Sequence, residues 1–169
     1  MWLTGGARDA AHFLKYQGWW RVSDAMAEVM RPLVHAVPPA ALLVPIPLGR
    51  RRERSRGYNQ GAVLATALAR VWTRELATDR LWRRRDTRTQ TGLAPDARQA
   101  NVRGAFGARW PDGRPAILVD DVFTTGATLV AAAEALLAAG APWVGGVTFA
   151  RARRPLDDDF EDLPPGRGS

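Results

Sequence analysis

Residues Ile117–Leu129 read ILVDDVFTTGATL. The run Ala116–Val119 is continuously apolar, the character of a strand covered on both faces in a parallel sheet. Two adjacent carboxylates, Asp120 and Asp121, follow it. Thr124, Thr125, Gly126, Ala127 and Thr128 then lead into an alanine- and leucine-rich helix, Thr128–Ala139, stopped by Gly140. In an open parallel sheet, ligands gather at the carboxyl ends of the strands. Small residues at a helix start let backbone N–H groups close round an anion, and the helix dipole adds roughly 0.3–1 kcal/mol in favour of negative charge. Threonine hydroxyls add further donors. A phosphate in this loop beside two carboxylates asks for a ligand that also carries hydroxyls or a nearby metal, and a ribose 5-phosphate satisfies that. A lone Asp-Asp or Thr-Thr-Gly is ordinary turn chemistry; the contiguity of strand, acids, loop and helix within thirteen residues carries the functional reading.

Working outward, Leu42–Ile46 is a second short apolar run bounded by prolines and reads as a buried strand. Pro47-Leu48-Gly49 and the arginine run through Arg56-Gly57 read as a loop, and Asn59 caps a helix from Gln60 to about Trp72. Helical spacing marks Ala7–Tyr16 and Ser23–His35, with Ser23 as N-cap of the second. Weaker strands cover Asp79–Arg84 and Ala105–Ala108, the polar stretch Asp86–Gln99 lies between them, and Trp143–Phe149 is a final strand. Apolar strands alternating with helices predict an α/β fold, a twisted, mainly parallel sheet flanked by helices. The expected organisation is one domain over residues 1–154, with a helical N-terminal part at 1–38, an α/β core at 39–154 and a flexible tail at 155–169.

The chain has 169 residues, 46% apolar and 24% charged, which is ordinary globular usage. It has no cysteine and two histidines, which excludes a disulfide scaffold, thiolate catalysis and cysteine-based zinc sites. Any metal is expected to be a hard cation held by carboxylate and phosphate oxygens. No apolar run approaches the ~18 residues of a membrane helix, so a cytoplasmic protein without membrane insertion is expected. The net charge of +7 is unevenly spread, because residues 47–109 hold fifteen basic and five acidic side chains. Twenty-three of the twenty-four basic residues are arginine, which fits either bidentate phosphate recognition or an arginine-favouring GC-rich genome.

The Ile117–Leu129 segment resembles the phosphoribosyl-pyrophosphate motif of type I phosphoribosyltransferases. RGYNQ at Arg56–Gln60, LWRRRDTRTQTGL at Leu81–Leu93 and the Arg98, Asn101, Phe106 spacing narrow the resemblance to the ComF family, which includes GntX-type proteins, over about Lys15 to Arg151. Family members often begin with a cysteine-rich zinc-binding segment. This chain has none, so the segment was lost or the start lies upstream, and no zinc is expected. The resemblance implies that Thr124 to Thr128 hold the 5-phosphate of phosphoribosyl pyrophosphate. It also implies that Asp120 and Asp121 face the ribose hydroxyls directly or through Mg²⁺. Pro47, Leu48 and Gly49 would touch the pyrophosphate, and Arg84, Arg85 and Arg88, in a loop folding over the site, would neutralise it. The variable hood that recognises substrate would combine the N-terminal helices with residues near Phe149 to Arg153, where His12, His35 and Tyr16 are candidates.

The basic middle third admits a second partner. Arg50, Arg51, Arg52, Arg54 and Arg56 lie in one segment, and Arg80, Arg83, Arg84, Arg85 and Arg88 surround the second strand, with Trp72 and Trp82 interleaved. Cations follow a nucleic-acid backbone and indoles stack bases, but a solvated basic face with core tryptophans explains the same residues. The family resemblance implies natural transformation, single-stranded DNA, and a competence helicase or DNA-processing protein as partner. The expected function is therefore a ComF-like competence protein that binds phosphoribosyl pyrophosphate and single-stranded DNA. The alternatives are an active phosphoribosyltransferase of unknown acceptor and, behind it, a nucleobase-salvage enzyme.

Overall fold

A computed structural model describes residues 2, 4–16, 20–86 and 101–152. Its elements are helices α1 (Gly5–Tyr16) and α2 (Trp20–Val29), strand β1 (Leu42–Pro45), helices α3 (Arg50–Arg56) and α4 (Gln60–Trp72), strands β2 (Leu81–Arg83), β3 (Phe106–Ala108) and β4 (Ala116–Phe123), helix α5 (Ala127–Ala138) and strand β5 (Val144–Arg151). β4 is the centre of a three-stranded sheet, parallel to β1 on one side and β5 on the other. β2 and β3 form a separate antiparallel ribbon. The fold is α/β, as the sequence predicts.

Strand alternation sorts the apolar side chains of the sheet into two cores. Leu42, Val44, Ile46, Ala116 and Leu118 pack with α5 and with Leu81 and Phe106 of the ribbon. Leu43, Ile117 and Val119 pack with Leu14 of α1, Met26 of α2 and Leu64 and Leu68 of α4. Leu43, Ile117 and Leu118 are essentially inaccessible, and each such burial is worth about 1.5–3 kcal/mol. The N-terminal helices thus share a layer with α4. No helix among the described residues is long and apolar enough to cross a membrane.

Three local expectations are corrected. The arginine run is a helix, α3, because it contains no glycine, proline or β-branched residue and arginine is a good helix former. Glu53 lies in its first turn and Arg54 and Arg56 in its last, matching the dipole, and Gly57 ends it at φ +78°. The second helix starts at Trp20, and Ser23 is buried inside it. It ends at Val29 and a 3₁₀ turn covers Arg31–Ala36, because Pro32 has no N–H and its ring clashes with the carbonyl four residues earlier. Finally, β4 runs through both acids to Phe123, since Asp120, Val122 and Phe123 remain in register with β5. The stretch beyond Asp86 as far as residue 100, including Arg88 and Arg98, lies outside the described residues, as does the tail beyond 152.

Candidate functional site

Because β1, β4 and β5 are parallel, their carboxyl ends meet at one edge. β1 delivers Pro47, Leu48 and Gly49 there, and β4 delivers the two acids and then Thr124 to Thr128. The segments to which the resemblance assigns the 5-phosphate and ribose thus share one sheet edge with the Pro47–Gly49 loop.

The RGYNQ segment fastens this edge. Asn59 Oδ1 accepts from the backbone N–H groups of Gly61 at 2.9 Å and Ala62 at 3.4 Å, while its Nδ2 donates to the Ile46 carbonyl at 3.0 Å. One amide therefore caps α4 and ties it to the end of β1. A Cβ on Gly61 would lie 3.4 Å from both the Ile46 and Val119 carbonyls, so α4 begins close against the strand ends. Arg56 donates to Gln60 Oε1 at 2.9 Å, and the Tyr58 hydroxyl donates to the Leu14 carbonyl, bringing the end of α1 to this edge.

The loop after β4 is short and built around glycine. Gly126 has φ +78° and stands at the N-cap of α5. A Cβ there would meet the Phe123 ring at 2.9 Å, so both backbone conformation and space select glycine. The Ala127 N–H donates to Thr125 Oγ1 at 3.4 Å, and Thr124, Thr125 and Thr128 are half-buried. The first turn of α5 directs its N–H groups toward the edge, the geometry an oxyanion requires.

The two acids differ. Asp120 is half-buried and its Oδ1 accepts from the Asp121 N–H at 2.9 Å. Asp121 is only 3% exposed. The pleat sends adjacent side chains to opposite faces, so Asp120 lies on the face shared by Leu118 and the β2–β3 ribbon, and Asp121 on the face of Val119 and α4. Among the described residues no three histidine, cysteine or acidic side chains gather to hold a metal. Mg²⁺ commonly binds one or two carboxylates and completes its shell with water and substrate phosphate, and Asp120, the less enclosed of the two acids, is the one that could hold it.

Arg83 is the site residue that sequence reasoning left in the general basic group. Its Nε donates to the Pro47 carbonyl at 3.0 Å and its guanidinium lies 4.8 Å from the Phe106 ring centre. Burial and then the like charge of Arg52 hold its pKa below the usual arginine value, while Asp120 and Asp86 oppose that shift. Arg83 therefore fastens the loop after β1 to the end of β2, on the same side of the sheet as Asp120. The signal available was the alternation Leu81-Trp82-Arg83-Arg84, which turns Arg83 to the same side as buried Leu81.

The remaining candidates are dispersed. Arg84 and Arg85 are exposed at the end of β2, where Arg85 donates to the Arg103 carbonyl at 2.8 Å. On α3, Arg50, Arg51 and Arg54 are exposed and Arg52 and Arg56 half-buried. Trp72 is buried and donates to the Met30 carbonyl at 3.3 Å, so it is a core residue, whereas Trp82 is 42% exposed. His12 is exposed beside Phe13, and Tyr16 closes α1. His35 lies in the 3₁₀ turn against the carboxyl end of α4, at the opposite edge of the sheet from the site.

No protein-family model matches the chain. It is 33% identical over 140 residues to DNA utilization protein YhgH of Escherichia coli O157:H7, an alignment covering 79% of this chain and 62% of that protein. It is 38% identical over 92 residues to Competence protein F of Haemophilus influenzae, covering 52% and 40%. It is 36% identical over 100 residues to Competence protein ComFC of Bacillus subtilis, covering 59% and 39%. The chain thus spans less than two thirds of the length of these relatives.

Proposed function

The chain belongs to the ComF family, and from that membership we propose that it acts in DNA uptake and utilization, binding phosphoribosyl pyrophosphate and single-stranded DNA. The names of the relatives, DNA utilization protein and competence protein, support the role. One observation carries the ligand: a glycine-headed helix start, the Asp120 carboxylate and the Arg83-held loop Pro47–Gly49 meet at a single sheet edge.

In this reading the N–H groups at the start of α5 and the hydroxyls of Thr124, Thr125 and Thr128 take the 5-phosphate. Asp120 orients the ribose hydroxyls. Asp121, largely enclosed, is the weaker candidate for direct contact. Arg83 and the amides of Leu48 and Gly49 offer positive potential to the pyrophosphate. Mg²⁺ arriving with pyrophosphate would supply charge neutralisation and template the oxygens. The arginines of α3, Arg50, Arg51, Arg52, Arg54 and Arg56, add to the positive field that draws in a polyanion.

Thermal unfolding with and without phosphoribosyl pyrophosphate and Mg²⁺ tests the ligand. Wild type is expected to be stabilised, and Asp120→Asn to fold but lose most of that shift. No stabilisation of wild type would remove the ligand assignment. Pyrophosphate release across a panel of bases, amines and nucleic acids separates a binder from a phosphoribosyltransferase, since only the latter liberates it.

A further inference from the structure

Trp82 stands directly across the ribbon from Gly107. A Cβ on Gly107 would come within 2.6 Å of Trp82 Nε1 and 2.7 Å of Arg84 Nε. The indole and the Arg84 side chain therefore settle against bare β3 backbone, in space that any other residue at 107 would fill. Along β2 the alternation turns Leu81 and Arg83 inward and Trp82 and Arg84 outward. Trp82 keeps 42% of its surface in solvent despite this packing.

The charge around the ribbon is asymmetric. At one end Arg80 is bound by Asp112 and Asp79, and Arg109 by Asp79, so both cations are compensated. At the other end Arg84, Arg85 and Arg103 are all exposed, and among the described residues none of them is in an ion pair. The Arg85 bond to the Arg103 carbonyl holds the end of β2 against the turn that precedes β3. Covering a cross-strand glycine explains where the indole lies; it does not explain three guanidiniums beside it that have no ion pair among the described residues.

We infer that the outer face of the β2–β3 ribbon is a stacking platform for single-stranded nucleic acid, with a base on Trp82 and the flanking phosphates on Arg84, Arg85 and Arg103. An aromatic surface bordered by cations is the sequence-tolerant way to hold an unpaired strand. The platform rests on the reading that this chain takes single-stranded DNA, and adds where the strand lies.

The test compares a labelled oligothymidylate with an abasic oligomer of the same length, by fluorescence anisotropy on the full chain. Wild type is expected to prefer thymidylate. Trp82→Leu, which still covers Gly107, is expected to lose at least ~5-fold affinity for thymidylate, the low end of base stacking on an aromatic side chain, and to bind the abasic oligomer like wild type. Trp82→Phe should recover part of the loss. If Trp82→Leu binds both oligomers as wild type does, the platform is overturned while DNA binding stands. If wild type binds neither at low salt, the DNA reading itself fails. Should Trp82→Leu not fold, photocrosslinking of wild type to an iododeoxyuridine oligonucleotide decides. Attachment at Trp82 supports the platform, and attachment only elsewhere overturns it.

Discussion

Arg83 Nε donates to the main-chain carbonyl of Pro47 at 3.0 Å, so the end of β2 holds the loop that follows β1. The same guanidinium lies over Phe106, and its charge interacts with that of Asp120. A single side chain thus ties the Pro47 loop to the β2–β3 ribbon.

Replacing Arg83 with alanine removes a charged donor and a cation–aromatic contact from a half-buried position. The expected cost is about 1–3 kcal/mol in urea unfolding. Arg83→Lys should recover little, because an ammonium does not reproduce a planar Nε donor stacked on a ring. Both variants should bind phosphoribosyl pyrophosphate less tightly than their stability loss alone accounts for, measured by calorimetry. Lysine restoring both stability and affinity would show that charge alone matters here.

Gly126→Ala meets two penalties, a left-handed φ of +78° and a 2.9 Å approach to the Phe123 ring. The conformational part costs about 1–2 kcal/mol. The steric part should be relieved in the double variant Gly126→Ala, Phe123→Leu, giving a favourable coupling energy in a double-mutant cycle. Additive effects would mean that the ring moves away freely and only backbone strain selects glycine.

Asn59→Ala deletes the α4 cap and the bond to Ile46 together. A loss of about 1–2 kcal/mol is expected in denaturant unfolding. Asn59→Asp keeps an acceptor for the Gly61 and Ala62 N–H groups but loses the donor to Ile46 and brings a carboxylate against that carbonyl. Its stability should fall between wild type and Asn59→Ala. Aspartate equalling asparagine would show that the strand tie contributes nothing beyond the cap.

The candidate site was legible where its chemistry is local. Asp120, the threonine loop and the start of α5 are contiguous, and strand-then-turn-then-helix follows from apolar pattern and glycine chemistry alone. The arginine run was not legible as a helix, because its charge suggested a solvated loop while its residues individually favour α-helix and Gly49 and Gly57 bound it. Trp72 and Trp82 look equivalent in a basic segment. One is buried at the last turn of α4 against the Met30 carbonyl and the other faces out from a two-stranded ribbon.

The amino-acid sequence by itself determined the α/β class, the parallel character of the buried strands and the carboxyl edge at which acids and helix start meet, because these depend on the period of apolar residues and on short-range turn chemistry. Tertiary structure alone decided that Asp121 is enclosed while Asp120 lies toward Arg83, that Arg83 rather than its neighbours holds the Pro47 loop, and that Trp82 is outward. These depend on which elements cover each face of β4 and the ribbon, and that is fixed by contacts between residues far apart in the chain.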